Sequence, residues 1–145
     1  MSNHADRTGL WLGDHSDLLL ELLFEEMRAQ ASGEEQRAFF GQIGRRLAAI
    51  FPLEAHGDVA MLERDANELF RRLGLGSARI AVTEGGLRIS HDPGAASGAT
   101  PWAAAMPAIL EGVYDAWFRA LGSGPRLMTT VLGQQGRIVE LRHGL

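Results

Sequence analysis

The sequence predicts an α+β fold: three N-terminal helices, a β-hairpin, a fourth helix and a second β-hairpin (ααα-ββ-α-ββ) with a small antiparallel sheet. Three observations point there. Apolar residues recur at helical spacing in three segments before residue 75. Two later stretches alternate at period two around glycine-containing turns. Between the hairpins lies one apolar run of helix length, residues 102–121.

Residues 1–15 are polar and aperiodic, and read as a flexible tail carrying one large aromatic, Trp11. Residues 16–145 read as a single domain. Ser16 is suited to N-cap a first helix over 16–31, with Asp17 at the positive end of its dipole. Ser32 and Glu35 stand at capping-box spacing and open a second helix, which ends near Phe51-Pro52. Its apolar face is Phe39, Phe40, Ile43, Leu47, Ile50 and Phe51. Asp58 caps a third helix with the stripe Val59, Leu62, Ala66, Leu69, Phe70, Leu73, and Gly74 stops it. The first hairpin alternates through Ile80 and Val82, then Leu87 and Ile89, with Glu84-Gly85-Gly86 as its turn. Thr100-Pro101 or Pro107 opens the fourth helix, because proline is favoured at a first helical position. The second hairpin is placed at 126–132 and 136–143, joined through Gly133-Gln134-Gln135.

Composition excludes several classes of function. There is no cysteine among 145 residues, which removes disulfides, thiolate metal sites and thiol nucleophiles. All fourteen basic residues are arginine, so lysine chemistry is absent too. A net charge of −4 argues against a nucleic-acid binder that works by neutralising phosphates. The longest charge-free stretch, Pro93 to Leu110, holds three prolines and is too short to span a bilayer. No secretory signal is readable, and the expected location is the cytoplasm.

Two helices look too apolar for a monomer. The first carries Leu18, Leu19, Leu20, Leu22, Leu23, Phe24 and Met27 over more than half its circumference. The fourth carries Trp102, Met106, Ile109, Leu110, Val113, Tyr114, Trp117 and Phe118. Self-association is preferred over the alternative that both sit centrally under their neighbours. The expected oligomer interface is Leu18, Leu19, Leu22, Leu23, Trp102, Gly112, Tyr114 and Trp117. Gly112 costs about 1 kcal/mol against alanine inside a helix, so it is expected to admit a partner helix closely. Gly41 and Gly44 likewise suggest a close helix crossing. Glu111 either meets an arginine across an interface or faces solvent.

Catalytic chemistry finds little support. The five histidines lack metal-ligand spacing and read as surface, capping or strand-end residues. No catalytic residue, metal site or cofactor is expected. Glu63, Asp65 and Glu68 lie on a face that reads as solvated. A small enzyme using His91, Asp92 and Glu111 is the catalytic rival. Trp11 reads either as a stacking platform for a sugar ring or as an anchor docking the tail on a neighbouring subunit, the latter being preferred.

The fourth helix reads Trp102, then Leu110-Glu111-Gly112-Val113-Tyr114-Asp115-Ala116-Trp117. With Leu18-Leu19-Leu20, Gly44-Arg45-Arg46-Leu47-Ala48 and Leu87-Arg88-Ile89-Ser90-His91-Asp92, this resembles the D-subunit family of bacterial cellulose synthase over residues 16–145. The resemblance implies a non-catalytic homo-octameric ring that organises nascent β-1,4-glucan chains beside the cellulose synthase complex. It implies tail contacts to glucan at Asn3, His4, Asp6, Arg7 and Trp11, and a proline-rich partner protein. A periplasmic site is the alternative location it leaves open. An adaptor that binds the partner and never touches glucan is the rival function.

Overall fold

Local capping fixes the helices before packing does. In the computed structural model, which describes residues 16–54, 57–94 and 102–145, the elements run α1 (Ser16–Gln30), α2 (Gly33–Ile50), α3 (Val59–Leu73), β1 (Ser77–Thr83), β2 (Gly86–Asp92), α4 (Trp102–Ala120), β3 (Met128–Gln135) and β4 (Ile138–Gly144). The expected α+β order is the observed one. The chain divides after Gln36 into two compact units.

In the first unit, α1 leads into a reciprocal capping box. The Ser32 backbone N–H donates to Glu35 Oε1 at 2.8 Å, and the Glu35 N–H donates to Ser32 Oγ at 3.1 Å. That hydrogen bonding holds the Glu35 carboxyl below its usual pKa.

In the second unit, Asp58 accepts from the Met61 N–H at 2.8 Å, and Gly74, at φ 70°, closes α3 in the left-handed conformation. Four strands form one antiparallel sheet in the order β1-β2-β4-β3. Registers Ile80↔Ile89, Ile89↔Leu141 and Val131↔Leu141 align one face. Ala78, Ile80, Ile89, His91, Val139 and Leu141 are buried on it. α3 packs against β1, and α4 against β3 and β4.

Two expected details are corrected. Burial on β1 ends at Ile80, and Val82, nearer the turn, is exposed. The second hairpin turns at Gly136-Arg137, between the paired Gln135 and Ile138. Gly133 instead lies inside β3, where the register shifts between Val131 and Gly133 and leaves Leu132 as the extra residue of a bulge. Of the two openings considered for α4, the helix starts at Trp102, so Pro107 falls inside it.

α2 and α4 cross where both lack side chains. A Cβ on Gly112 would strike the Gly41 carbonyl, and one on Gly44 would strike the Ile109 carbonyl. Gly112 therefore does admit a helix closely, but that helix belongs to its own chain. α4 is wrapped within one protomer: Leu110, Val113, Tyr114, Trp117 and Phe118 are all buried. The second copy anticipated as their cover is not needed, because small residues on α2 bring that helix near enough. On α2 the buried positions are Phe40, Gly44 and Ala48, while Phe39 and Ile50 stay exposed.

Gly112→Ala should lower stability despite better helix propensity, by about 2 kcal/mol or roughly 5 °C in thermal melts followed by circular dichroism. Gly33→Ala, with open space around its Cβ, should hold or raise the melting temperature. Equal gains in both variants would contradict the crossing.

Candidate functional site

In the segment Glu111–Trp117 the polar side chains Glu111, Asp115 and Trp117 are spent on the fold. Glu111 Oε2 accepts the Val131 N–H at 2.9 Å. Asp115 Oδ1 accepts the Thr129 N–H at 2.8 Å. Its Oδ2 accepts from Arg45 and from Arg119, each at 2.8 Å. Trp117 Nε1 donates to the Phe51 carbonyl at 2.9 Å. Within the protomer Glu111 is half-buried and its partner is the backbone of β3, which neither sequence reading anticipated.

These contacts follow one rule that α3 repeats. β1 and β3 are the sheet's two edges, and an edge strand leaves its outward backbone groups unpaired. Glu111 and Asp115, one helical turn apart, take the outward N–H groups of β3. On α3, Glu63 takes the Ile80 N–H at 2.7 Å, and Asn67 both accepts from the Ala78 N–H (2.6 Å) and donates to the Ala78 carbonyl (3.0 Å). Glu63 is thus half-buried and engaged, contrary to the solvated face expected for it. On the apolar α4 the acidic pair four residues apart is a readable signal for the β3 edge, whereas Glu63 and Asn67 are hidden among the other polar residues of α3. Burial raises the Asp115 pKa, but hydrogen bonds from Arg119, the Thr129 N–H and Arg45 outweigh it and hold the carboxyl below its ordinary value.

His91 and His143 stand one residue from the ends of β2 and β4, as strand-end residues, but both are buried rather than at the surface. His91 Nε2 lies 2.8 Å from the Leu75 carbonyl, which can only accept, so Nε2 carries the proton. Nδ1 then accepts from the Tyr114 hydroxyl at 2.6 Å. Burial lowers the His91 pKa to about 4 and raises that of Tyr114. Phe70 sits edge-on to His91 at 4.5 Å and tilted to Tyr114 and Trp117, closing an aromatic cluster. Asp92 points elsewhere, paired with Arg137 at 2.8 Å. His91, Asp92 and Glu111, the residues of the catalytic rival, are each tied to a different partner.

Of the expected interface, Tyr114 and Trp117 are buried within the protomer, and Gly112 meets α2. The Trp102 side chain lies outside the described residues, as do Asn3, His4, Asp6, Arg7 and Trp11. On α1, Leu18 is half-buried, while Leu19, Leu22 and Leu23 are 65%, 51% and 58% exposed. Positions i, i+3 and i+4 share a helix face, so these three make a continuous apolar strip.

One cavity of about 330 Å³ opens beside the end of α4, walled by Leu62, Leu87, Phe118 and Leu121 together with Ser123 and His143. His143 Nδ1 pairs with Thr129 Oγ1 at 2.8 Å, but its Nε2 has no partner, nor has Ser123 Oγ. A shielded polar atom left unpaired costs about 1–3 kcal/mol.

No helix among the described residues is long and apolar enough to cross a membrane. The family model described as the D subunit of cellulose synthase matches residues 7–144. No curated protein matches the chain.

The buried groups set how stability responds to pH and to mutation. His91 has a folded pKa near 4 against 6.5 unfolded, so the unfolded chain binds more protons between those values. Stability should be full above pH 6.5 and fall by up to about 3 kcal/mol as the pH drops to 4. Urea titrations of His91→Gln should show a much flatter dependence, and an unchanged slope would contradict the assignment. Asp115→Ala should cost about 2 kcal/mol by orphaning the Thr129 N–H. It should also speed amide exchange at Thr129 more than at Val131, with Glu111→Ala giving the reverse order.

Proposed function

The chain belongs to the D-subunit family of cellulose synthase, which assigns it to cellulose synthesis as an accessory subunit of the synthase, and we propose that it acts there without catalysis, as a homo-oligomeric ring that guides nascent β-1,4-glucan chains. The observation that carries this reading is the leucine strip on α1. Leu19, Leu22 and Leu23 expose a contiguous apolar face, and such faces mark interfaces. Covering these partly exposed leucines contributes about 1 kcal/mol each toward association. Leu18 flanks the strip and belongs to the same contact.

The second support is the net negative charge, together with the engagement of the acidic side chains. A neutral glucan needs no cationic groove, and Glu63, Glu111 and Asp115 are committed to strand edges. In this reading the tail residues Asn3, His4, Asp6, Arg7 and Trp11 supply the glucan contacts, with stacking on Trp11. The octamer, a cytoplasmic position beside the synthase and a proline-rich partner complete the proposal.

Light scattering should give a mass several times 15.7 kDa, and Leu19→Asp/Leu22→Asp/Leu23→Asp should reduce it to that of a folded monomer. Titration with cello-oligosaccharides should quench Trp11 fluorescence in wild type, judged against Trp11→Phe. An oligomer that ignores the sugar but binds a proline-rich peptide would favour the adaptor instead, and a wild-type monomer would remove the ring.

A further inference from the structure

A second exposed apolar strip runs along α2. Phe39 and Ile50 are 47% and 68% exposed, and the half-buried Ile43 lies between them on the same helix face. At the turn of an α-helix this strip points about 120° away from the line of Phe40, Gly44 and Ala48, which α2 buries in its own protomer. The crossing with α4 therefore leaves it open.

The strips on α1 and α2 match in length and pattern. Leu19, Leu23 and Glu26 on α1 repeat at the same intervals as Phe39, Ile43 and Arg46 on α2. Each strip continues for one more turn, to Gln30 and to Ile50, a run of about 16 Å. Each carries one charged residue at the same place, Glu26 or Arg46, and both are exposed. The surrounding charge is complementary as well. α1 holds four acidic residues and one arginine, whereas residues 37–50 hold three arginines and no acid.

We propose that the α1 strip docks in parallel on the α2 strip of a second copy of this chain, with Glu26 against Arg46. The pairing rests on the homo-oligomer proposed above and names the surface that receives α1. In this register Leu19 meets Phe39 and Leu23 meets Ile43. An antiparallel alignment would set Leu23 against Arg46 and Glu26 against Ile43, pressing each charge onto an apolar residue. Pairing α1 with α1 would bring four acidic residues against four, and in parallel would oppose Glu26 to Glu26. One chain cannot make the parallel pairing for itself. Only Ala31 and Ser32 join α1 to α2, a link that spans at most about 11 Å. A parallel return would have to run back along the roughly 22 Å of α1. Two copies can instead exchange α1 helices reciprocally, each giving one strip and receiving the other.

The test uses the full-length protein, in which the absence of cysteine makes engineered thiols specific. On mild oxidation, Leu19→Cys mixed with Phe39→Cys should form a covalent dimer. Leu19→Cys mixed with Ile50→Cys should form little, because positions 39 and 50 stand about 16 Å apart and a disulfide needs its Cα atoms within about 7 Å. Glu26→Arg and Arg46→Glu should each weaken assembly about tenfold in a light-scattering dilution series, with circular dichroism unchanged. An equimolar mixture of the two variants should recover the unaltered affinity within about threefold, since each α1 then finds an opposite charge on its neighbour. Folded single variants that assemble normally, a mixture that does not recover, or cross-linking of Leu19→Cys to Ile50→Cys or to itself in preference to Phe39→Cys would overturn the pairing, while the homo-oligomer would stand. An unaltered chain that is monomeric would overturn both.

Discussion

The close crossing of α2 and α4 is the constraint on which residues 37–145 depend. With Gly41 and Gly44 on one helix and Gly112 on the other, backbone meets backbone. At that separation Arg45 reaches Asp115, and the Phe51 carbonyl comes within reach of Trp117 Nε1. α4 is thereby fixed in rotation as well as position. Its adjoining flank then presents Glu111 and Asp115 to β3 at the spacing of alternate strand residues. A methyl group at the crossing would displace the helix that both caps the sheet edge and supplies Tyr114 to His91.

The two sheet edges show how little of this depends on charge pairing as such. Exposed ion pairs such as Glu68 with Arg71 are worth little. Glu63, Asn67, Glu111 and Asp115 do something different: each satisfies an outward backbone group that would otherwise offer itself to another strand. The sheet therefore has both edges engaged by its own helices, and growth by strand addition is blocked along those stretches. That leaves helix faces as the natural route to assembly. The strip on α1 is one such exposed apolar face.

Features decided within a few residues are legible in the sequence alone. The Ser32/Glu35 box, the Asp58 cap and the Gly74 stop depend on local spacing, and each is found where expected. The second hairpin is displaced because Gly133-Gln134-Gln135 has turn composition, whereas the register is set by pairing with β4 and absorbed by a bulge. The breadth of α4 suggests more apolar surface than one chain can cover. Large apolar residues dominate that impression, yet Gly44 and Ala48 cover a helix by proximity rather than bulk. Burial of His91 is illegible because its partners, Leu75 and Tyr114, are distant in sequence. The tail positions assigned to glucan rest on family likeness, and no local pattern in residues 1–15 bears on them.

Segment 111–117, which carries the family likeness, thus builds the protomer, and the proposed assembly gives contact between protomers to α1. The most direct test is the mass of folded Gly112→Ala protein, measured by light scattering well below its melting temperature. The expected result is the same assembly as the unaltered chain. A stable, fully folded monomer would show that Gly112 meets a neighbouring protomer, and would contradict this division of labour.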